Sequence, residues 1–265
     1  MNNYCLYSLL DKSFLLKIGD NSQKIISSKK SYEPHLTYLF NFFVGETDNV
    51  IDLGANIGYH TVTLSKLAKN GHVIAAEPLR EVYYNLCSNL LLNGCMNVDA
   101  INKVCTDKKS KFVMEKIDWG NSGNCKIEKE ASTLDDLSVA VDSFTLDDID
   151  IPTTLIKMDV QGSECNVISG GDKHLSSFRP IVIVEIEEHH LNAFGKTSKD
   201  LLNMFIERDY VLYRIMNEYP CDHVAIPKEK DTFDIKAIVG YDIVKIDKPV
   251  KETTMRWPLY EKAIY

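Results

Sequence analysis

The segment VIDLGANIGYHT (Val50–Thr61) ends an apolar run on Asp52 and turns through Gly54, Asn56 and Gly58 into a helical pattern. A turn built to grip a pyrophosphate with backbone amides follows G-x-G-x-x-G. Here no third glycine completes that pattern, and Asp52 would repel a phosphate. The same features suit S-adenosylmethionine, which carries an ammonium and a sulfonium and no phosphate. Glycines let backbone pass close to its amino-acid end, where a Cβ would collide. A second acid, Glu77, closes the next apolar run. It sits near the ~20-residue offset at which a carboxylate accepts both ribose hydroxyls. Each acid alone reads equally well as a solvated strand end; the pair at this spacing favours a nucleoside ligand.

Methyl transfer from a sulfonium is an in-line displacement on an activated donor. The protein must align the acceptor and remove its proton. Asp159 terminates LIKMD and is a candidate base. Its competing role is to cap the helix that begins near Ser163, where Glu164 favours the dipole. Glu185 interrupts the apolar strand IVIVEI, where a carboxylate is costly unless paired or used. His189 and His190 follow Glu187 and Glu188 just beyond it, and imidazole is suited to take a proton near neutrality. A lone histidine is more often a surface or packing residue. Asp159, Glu185 and His189 are also the donor types of a divalent-metal site. Nothing in their spacing requires an ion, so the site is read without metal. WGNSGN (Trp119–Asn124) is a turn-rich loop that would cover the acceptor, or a plain hairpin tip.

The elements that must position these residues alternate. NVIDLG, HVIAAEP, NVDAIN, TTLIKMDV and PIVIVEIE read as successive buried strands. SYEPHLTYLFNFF, TVTLSKLAKNG, EVYYNLCSNLLLNG and residues 198–208 carry helical spacing between or after them. Buried strands alternating with amphipathic helices make β-α-β units, hence an α/β, Rossmann-like, doubly wound and mostly parallel sheet with helices on both faces. Residues 1–30 read as a hairpin-like extension turning at Gly19-Asp20-Asn21-Ser22, and residues 31–265 as the main domain. DKKSKFVMEK and WGNSGNCKIEKE read as antiparallel excursions, VAVDSFTLDDI as a return to the sheet, and YVLYRI and FDIKAIVGY as its last strands. Residues 216–234 carry no legible motif.

The chain has 265 residues, 45% hydrophobic and 26% charged, enough for one sizeable core. Its net charge of −8 argues against a phosphate-tracking surface, and so against DNA. The seven cysteines are scattered without zinc spacing, and no run approaches the ~20 apolar residues of a membrane span. The opening MNNYCLYSLLDKSF lacks a basic leader. A soluble, cytoplasmic chain is the expectation.

Several segments in order resemble the FkbM-type methyltransferases, a branch of the class I S-adenosylmethionine-dependent enzymes, over about residues 31–215: YEP (Tyr32–Pro34), IDLGANIGYHT, VIAAEP, SFTLDDI, IKMDVQGSE and IVIVEIEEHH. Gln161 stands where the family more usually has Glu. The resemblance implies a seven-stranded sheet, parallel except for one strand near the C-terminus. It implies that Asp52, Gly54, Asn56 and Gly58 surround the methionine part of S-adenosylmethionine, and that Glu77 binds ribose. Tyr32 and Glu33 would close over the amino-acid end, Glu33 as counter-charge to the ammonium. Adenine would lie against Asn102–Val104, with Asp107 nearby, and His189 is preferred to His190 on the same basis. A sugar hydroxyl in a glycan or glycosylated metabolite is the implied acceptor, and a homodimer stays open. The alternatives are a non-catalytic S-adenosylmethionine- or nucleoside-binding domain, an RNA methyltransferase, and a nucleotide-dependent oxidoreductase, the last disfavoured by the missing third glycine.

Overall fold

The computed structural model describes residues 4–9, 11–28, 32–115, 127–130, 138–217 and 221–250. Its centre is a sheet whose strands alternate between two apolar faces. β3 (Asn49–Leu53), β4 (His72–Ala76), β5 (Val98–Ile101), β10 (Leu155–Met158) and β11 (Ile181–Glu185) run parallel to their neighbours among these five. In β11, Val182 and Val184 face one core while Ile181 and Ile183 face the other, as the two-residue period of a pleated strand requires. Helices α5 (Glu164–Ser169), α6 (Asp172–Phe178) and α8 (Ser198–Ile206) cover the first face. Helices α2 (Pro34–Phe43) and α9 (Ile235–Val239) cover part of the second. Burying Leu201, Leu202 and Phe205 of α8 contributes roughly 1.5–3 kcal/mol per side chain.

Beyond β11 the order is β13 (Asp222–Pro227), β12 (Tyr210–Met216) and β14 (Asp242–Ile246), giving β14-β12-β13-β11-β10-β3-β4-β5. β13 lies antiparallel between β11 and β12. The seven-stranded arrangement with one antiparallel strand is therefore present, extended at its edge by an antiparallel eighth, β14.

β13 arises from the stretch without a motif; its apolar run is short and opens on Asp222-His223, which masks a strand paired on both edges. Three local expectations are corrected. FDIKAIVGY alternates like a strand, but Asp234 accepts the Ala237 N–H at 3.2 Å and Gly240 closes a helix, α9. The Gly19–Ser22 cluster is a helix start rather than a hairpin turn. Asp20 Oδ1 accepts the Gln23 N–H at 3.1 Å and α1 (Asn21–Ser28) follows. The hairpin itself is β1 (Tyr4–Leu9) with β2 (Lys12–Lys17). Finally, VAVDSF does not rejoin the main sheet. It forms β9 (Ser138–Phe144) of a four-stranded sheet with β6 (Val104–Cys105), β7 (Lys111–Glu115) and β8 (Ile127–Glu130). The WGNSGN loop lies outside the described residues.

The N-terminal hairpin is bound to the helices behind the glycine loop, α3 (Tyr59–Leu67) and α4 (Arg80–Leu92). Phe14 is buried and stacks on Tyr59 with centroids 5.3 Å apart. The N–H groups of Ser13 and Leu15 donate to Asn93 Oδ1 and Asn89 Oδ1 at 3.0 and 2.7 Å. α3, buried over its first seven residues, is fixed from both sides.

Candidate active site

At the carboxyl end of β3 the chain must turn within contact of β10. A Cβ on Gly54 (φ 75°) would stand 1.7 Å from the Asp159 carbonyl oxygen, so only glycine lets the loop pass. The N–H groups of Gly54 and Ala55 both donate to the Ala76 carbonyl, at 3.0 and 2.9 Å. Asn56 adopts a left-handed conformation, φ 49°. Its N–H donates to Glu77 Oε2 at 3.0 Å, while Glu77 Oε1 accepts the Leu79 N–H at 2.9 Å. Glu77 thus joins the loops after β3 and β4. Burial pushes its carboxyl up to about 7, against the pull of those two amides. Asn102 holds the same corner from behind, donating to the carbonyls of Glu77 and Pro78 at 2.9 and 2.8 Å.

These groups border a cleft of about 620 Å³, open mouth included, lined among others by Gly54, Asn56, Glu77, Val104, Asp159 and Gln161. Five of the sequence-derived candidates therefore converge on one space. Asn102 and Gly58 instead shape its walls, Gly58 by starting α3. Asp52 lies beneath the loop, fully buried, where Oδ2 accepts the Thr61 hydroxyl at 2.6 Å. Lys157 Nζ is 3.5 Å from Asp52 Oδ1 and 3.7 Å from Asp159 Oδ2, and donates to the Gly54 carbonyl at 3.1 Å. Burial disfavours this ammonium, but Asp52, Asp159, Glu33 and Glu185 outweigh it and raise its pKa.

A second group of side chains adjoins the cleft. The Gln161 amide donates to Asp159 Oδ1 at 2.7 Å and reaches Glu185 Oε2 at 3.4 Å. Gln161 is itself left-handed, φ 53°. Next to it a Cβ on Gly162 would lie 2.3 Å from the His190 carbonyl, which draws this turn against α7 (Glu188–Ala193). Burial, then the charges of Asp159 and Asp222, raise the Glu185 pKa well above the usual carboxylate range. Asp222 stands opposite Glu185 in the β11–β13 register and accepts from His35 Nε2 at 2.7 Å. Glu33, left-handed at the start of α2, meets His60 Nε2 at 2.6 Å. Burial works against the Glu33 carboxylate, but His60 prevails and lowers its pKa. Tyr32 packs edge-on to Tyr59; burial, then Glu33, Asp159 and Glu185, raise its phenol.

His189 does not join Asp159 and Glu185. It is exposed, with Nδ1 3.1 Å from Glu187 Oε2. Among the described residues, the three metal-type side chains that converge are Glu187, His189 and His190, not the trio of Asp159, Glu185 and His189. Sequence reasoning missed Lys157, His35, His60 and Asp222. Lys157 carried a signal, a charge inside an apolar strand. The other three depend on contacts far apart in the chain.

The cleft fits S-adenosylmethionine better than a dinucleotide. Two acids that line it, Glu77 and Asp159, would oppose a diphosphate, and the Lys157 charge is already matched by Asp52 and Asp159. Among the described residues no helix is long and apolar enough to cross a membrane.

Comparison with known proteins gives three kinds of match. The Methyltransferase FkbM domain family matches residues 52–212. A tRNA(Phe) (4-demethylwyosine(37)-C(7)) aminocarboxypropyltransferase of Methanocaldococcus jannaschii is 35% identical over 79 residues, 30% of this chain and 32% of that protein. The chain thus spans about a third of the length of this curated relative. Among solved structures, a methyltransferase FkbM from Methylobacillus flagellatus superposes with a TM-score of 0.48 at 18% identity. That match covers 68% of this chain and 44% of the other. M. jannaschii TYW2 in complex with AdoMet gives 0.45 at 16% identity, covering 85% and 84%.

Proposed function

Because this chain belongs to the FkbM methyltransferase family, class I enzymes that use S-adenosylmethionine, we propose that it methylates a hydroxyl of a small polar acceptor, a sugar in a glycan or glycosylated metabolite. The observation that carries the reading is the position of Asp159. It lines the cleft on one side and is linked through Gln161 to Glu185 on the other.

The cofactor supplies an electrophilic methyl group on a sulfonium. Glu77 takes the ribose hydroxyls, and Gly54 and Asn56 border the amino-acid end. Glu33 and Tyr32 close over that end, while Asp52 acts from beneath by fixing Lys157 and α3. Asp159 would accept the proton of the acceptor hydroxyl, leaving its oxygen to take the methyl group that the cofactor would supply. Glu185, whose pKa burial and the Asp159 charge raise, orients Asp159 and the acceptor. Carboxylates, an amide and imidazoles around the site match a polyhydroxylated acceptor, which offers donors and acceptors in equal measure.

A second reading, an RNA acceptor, is favoured by the 79-residue match to a tRNA-modifying enzyme. The net charge of −8 weighs against it. The deciding measurement is transfer of labelled methyl from S-adenosylmethionine to a panel of glycans, glycosylated metabolites and bulk tRNA. Label in sugar, with a 14-dalton gain by mass spectrometry, is expected. Label in tRNA alone would replace the sugar acceptor with RNA, and cofactor binding without transfer to any acceptor would favour a non-catalytic domain.

A further inference from the structure

Two residues past Glu185, the chain brings together a group that the methyl-transfer chemistry does not use. Glu187 Oε2 lies 3.1 Å from His189 Nδ1 and 3.5 Å from His190 Nδ1, and the three donor atoms lie within 4.8 Å of one another. The two imidazole rings lie close, centroids 3.8 Å apart and tilted by 50°, with both Nδ1 atoms near one carboxylate oxygen. We propose that Glu187, His189 and His190 bind a divalent transition-metal ion of the zinc type.

Donor chemistry comes first. Two imidazoles and one carboxylate suit zinc, cobalt, nickel or copper, whereas magnesium and calcium prefer oxygen. Three protein ligands with a fourth position open is the arrangement of a solvent-accessible zinc site.

Geometry agrees. Ligand atoms at 2.0–2.2 Å from a tetrahedral zinc stand roughly 3.3–3.6 Å apart. Of the observed separations, 3.5 Å falls within that spacing and 3.1 Å lies about 0.2 Å short of it. The remaining adjustment falls to His189, whose side chain is 64% exposed and turns without disturbing the core. The other two ligands are fixed, with Glu187 and His190 side chains only 10% and 7% exposed.

Glu187 is the residue before α7, the position from which a side chain usually caps the helix, yet it makes no capping hydrogen bond. The Gly162 turn pressed on the His190 carbonyl keeps the backbone of this segment in place.

The test is zinc titration of the full chain against a chromophoric competing chelator, with cobalt as spectroscopic probe. One equivalent bound, with visible d–d bands and no thiolate charge-transfer band, is expected. His189→Ala and Glu187→Gln should each weaken binding at least about tenfold, the lower end seen when even a ligand's supporting partner is lost. His72→Ala removes an exposed imidazole 3.0 Å from Asp99 and should leave affinity unchanged. His189 is exposed, so its variant stays folded and decides alone if Glu187→Gln does not fold. Wild-type binding no tighter than millimolar overturns the proposal, and so do unchanged affinity in His189→Ala or a cobalt–thiolate spectrum. Those outcomes would leave Glu187 a hydrogen-bond partner of the two imidazoles. None of them depends on methyl transfer.

Discussion

The ammonium of Lys157 lies 3.5 Å from Asp52 Oδ1, with 8% and 0% of the two side chains exposed. This buried pair sits directly beneath the glycine loop and ties it, through the Gly54 carbonyl, to the strand that carries Asp159.

Removing one partner strands the other charge. Lys157→Met should cost about 3–5 kcal/mol in urea unfolding, because among the described residues Asp52 then keeps only its Thr61 hydroxyl bond. Adding Asp52→Asn should restore much of that loss. A single-variant cost below about 1 kcal/mol would show that the pair does not hold the loop.

Asp159 and Glu185 differ in environment, and their variants should differ accordingly. Asp159→Asn should lower kcat by about 10²–10⁴ with S-adenosylmethionine affinity changed only a few-fold. Burial, then the Asp159 charge, raise the Glu185 pKa well above the usual carboxylate range, so it keeps its proton to a higher pH than an ordinary carboxylate and loses it as pH rises. Wild-type activity should fall as Glu185 ionises, and Glu185→Gln, which mimics the protonated acid, should keep the activity of the acid side of that limb and lose the limb. An inactive Glu185→Gln at every pH would make Glu185 the ionised base instead.

The parts of this site that were legible in the sequence are those written locally. Asp52, Gly54, Asn56 and Glu77 follow from a buried strand ending at a turn, and β-α-β alternation places such turns at one edge of the sheet. Glu185 was legible as a charge inside an apolar strand. Lys157 in LIKMD offered the same signal, and only the fold shows that it serves Asp52 and Asp159 from below. The pairs His35–Asp222 and Glu33–His60 bring together residues from distant elements, so no spacing rule reaches them. α9 illustrates the limit of periodicity: Phe233, Ile235, Ala237 and Val239 alternate, while Ile235, Ile238 and Val239 carry the helical spacing that α9 adopts.

Gly54 and Gly58 look alike in sequence but face different obstacles. Gly54→Ala would drive a Cβ into the Asp159 backbone, whereas Gly58→Ala meets the end of the flexible Leu86 side chain at 2.7 Å. Both pay about 1–2 kcal/mol for a left-handed alanine. Gly54→Ala should in addition abolish S-adenosylmethionine binding in calorimetric titration, and Gly58→Ala should retain it. Equal retention would mean that the loop yields more than the packing indicates.

Glu164 is an acid whose burial makes stability depend on pH. Its Oε1 accepts the N–H groups of Val160 and Gly162 at 3.3 and 3.1 Å, while Oε2 is buried without a partner among the described residues. Burial pushes its carboxyl from 4.5 up to about 7. The folded state therefore holds this proton more tightly than the unfolded chain. The stabilisation is complete below about pH 4.5 and is lost as pH rises through about 7. Glu164→Gln keeps an oxygen for both amides and cannot ionise. Relative to wild type, it should gain stability between pH 4.5 and pH 7.5, up to roughly 3 kcal/mol. Urea unfolding at those two values measures this difference directly. Parallel pH profiles for the two proteins would show that Glu164 reaches water and is ionised at no cost to the fold.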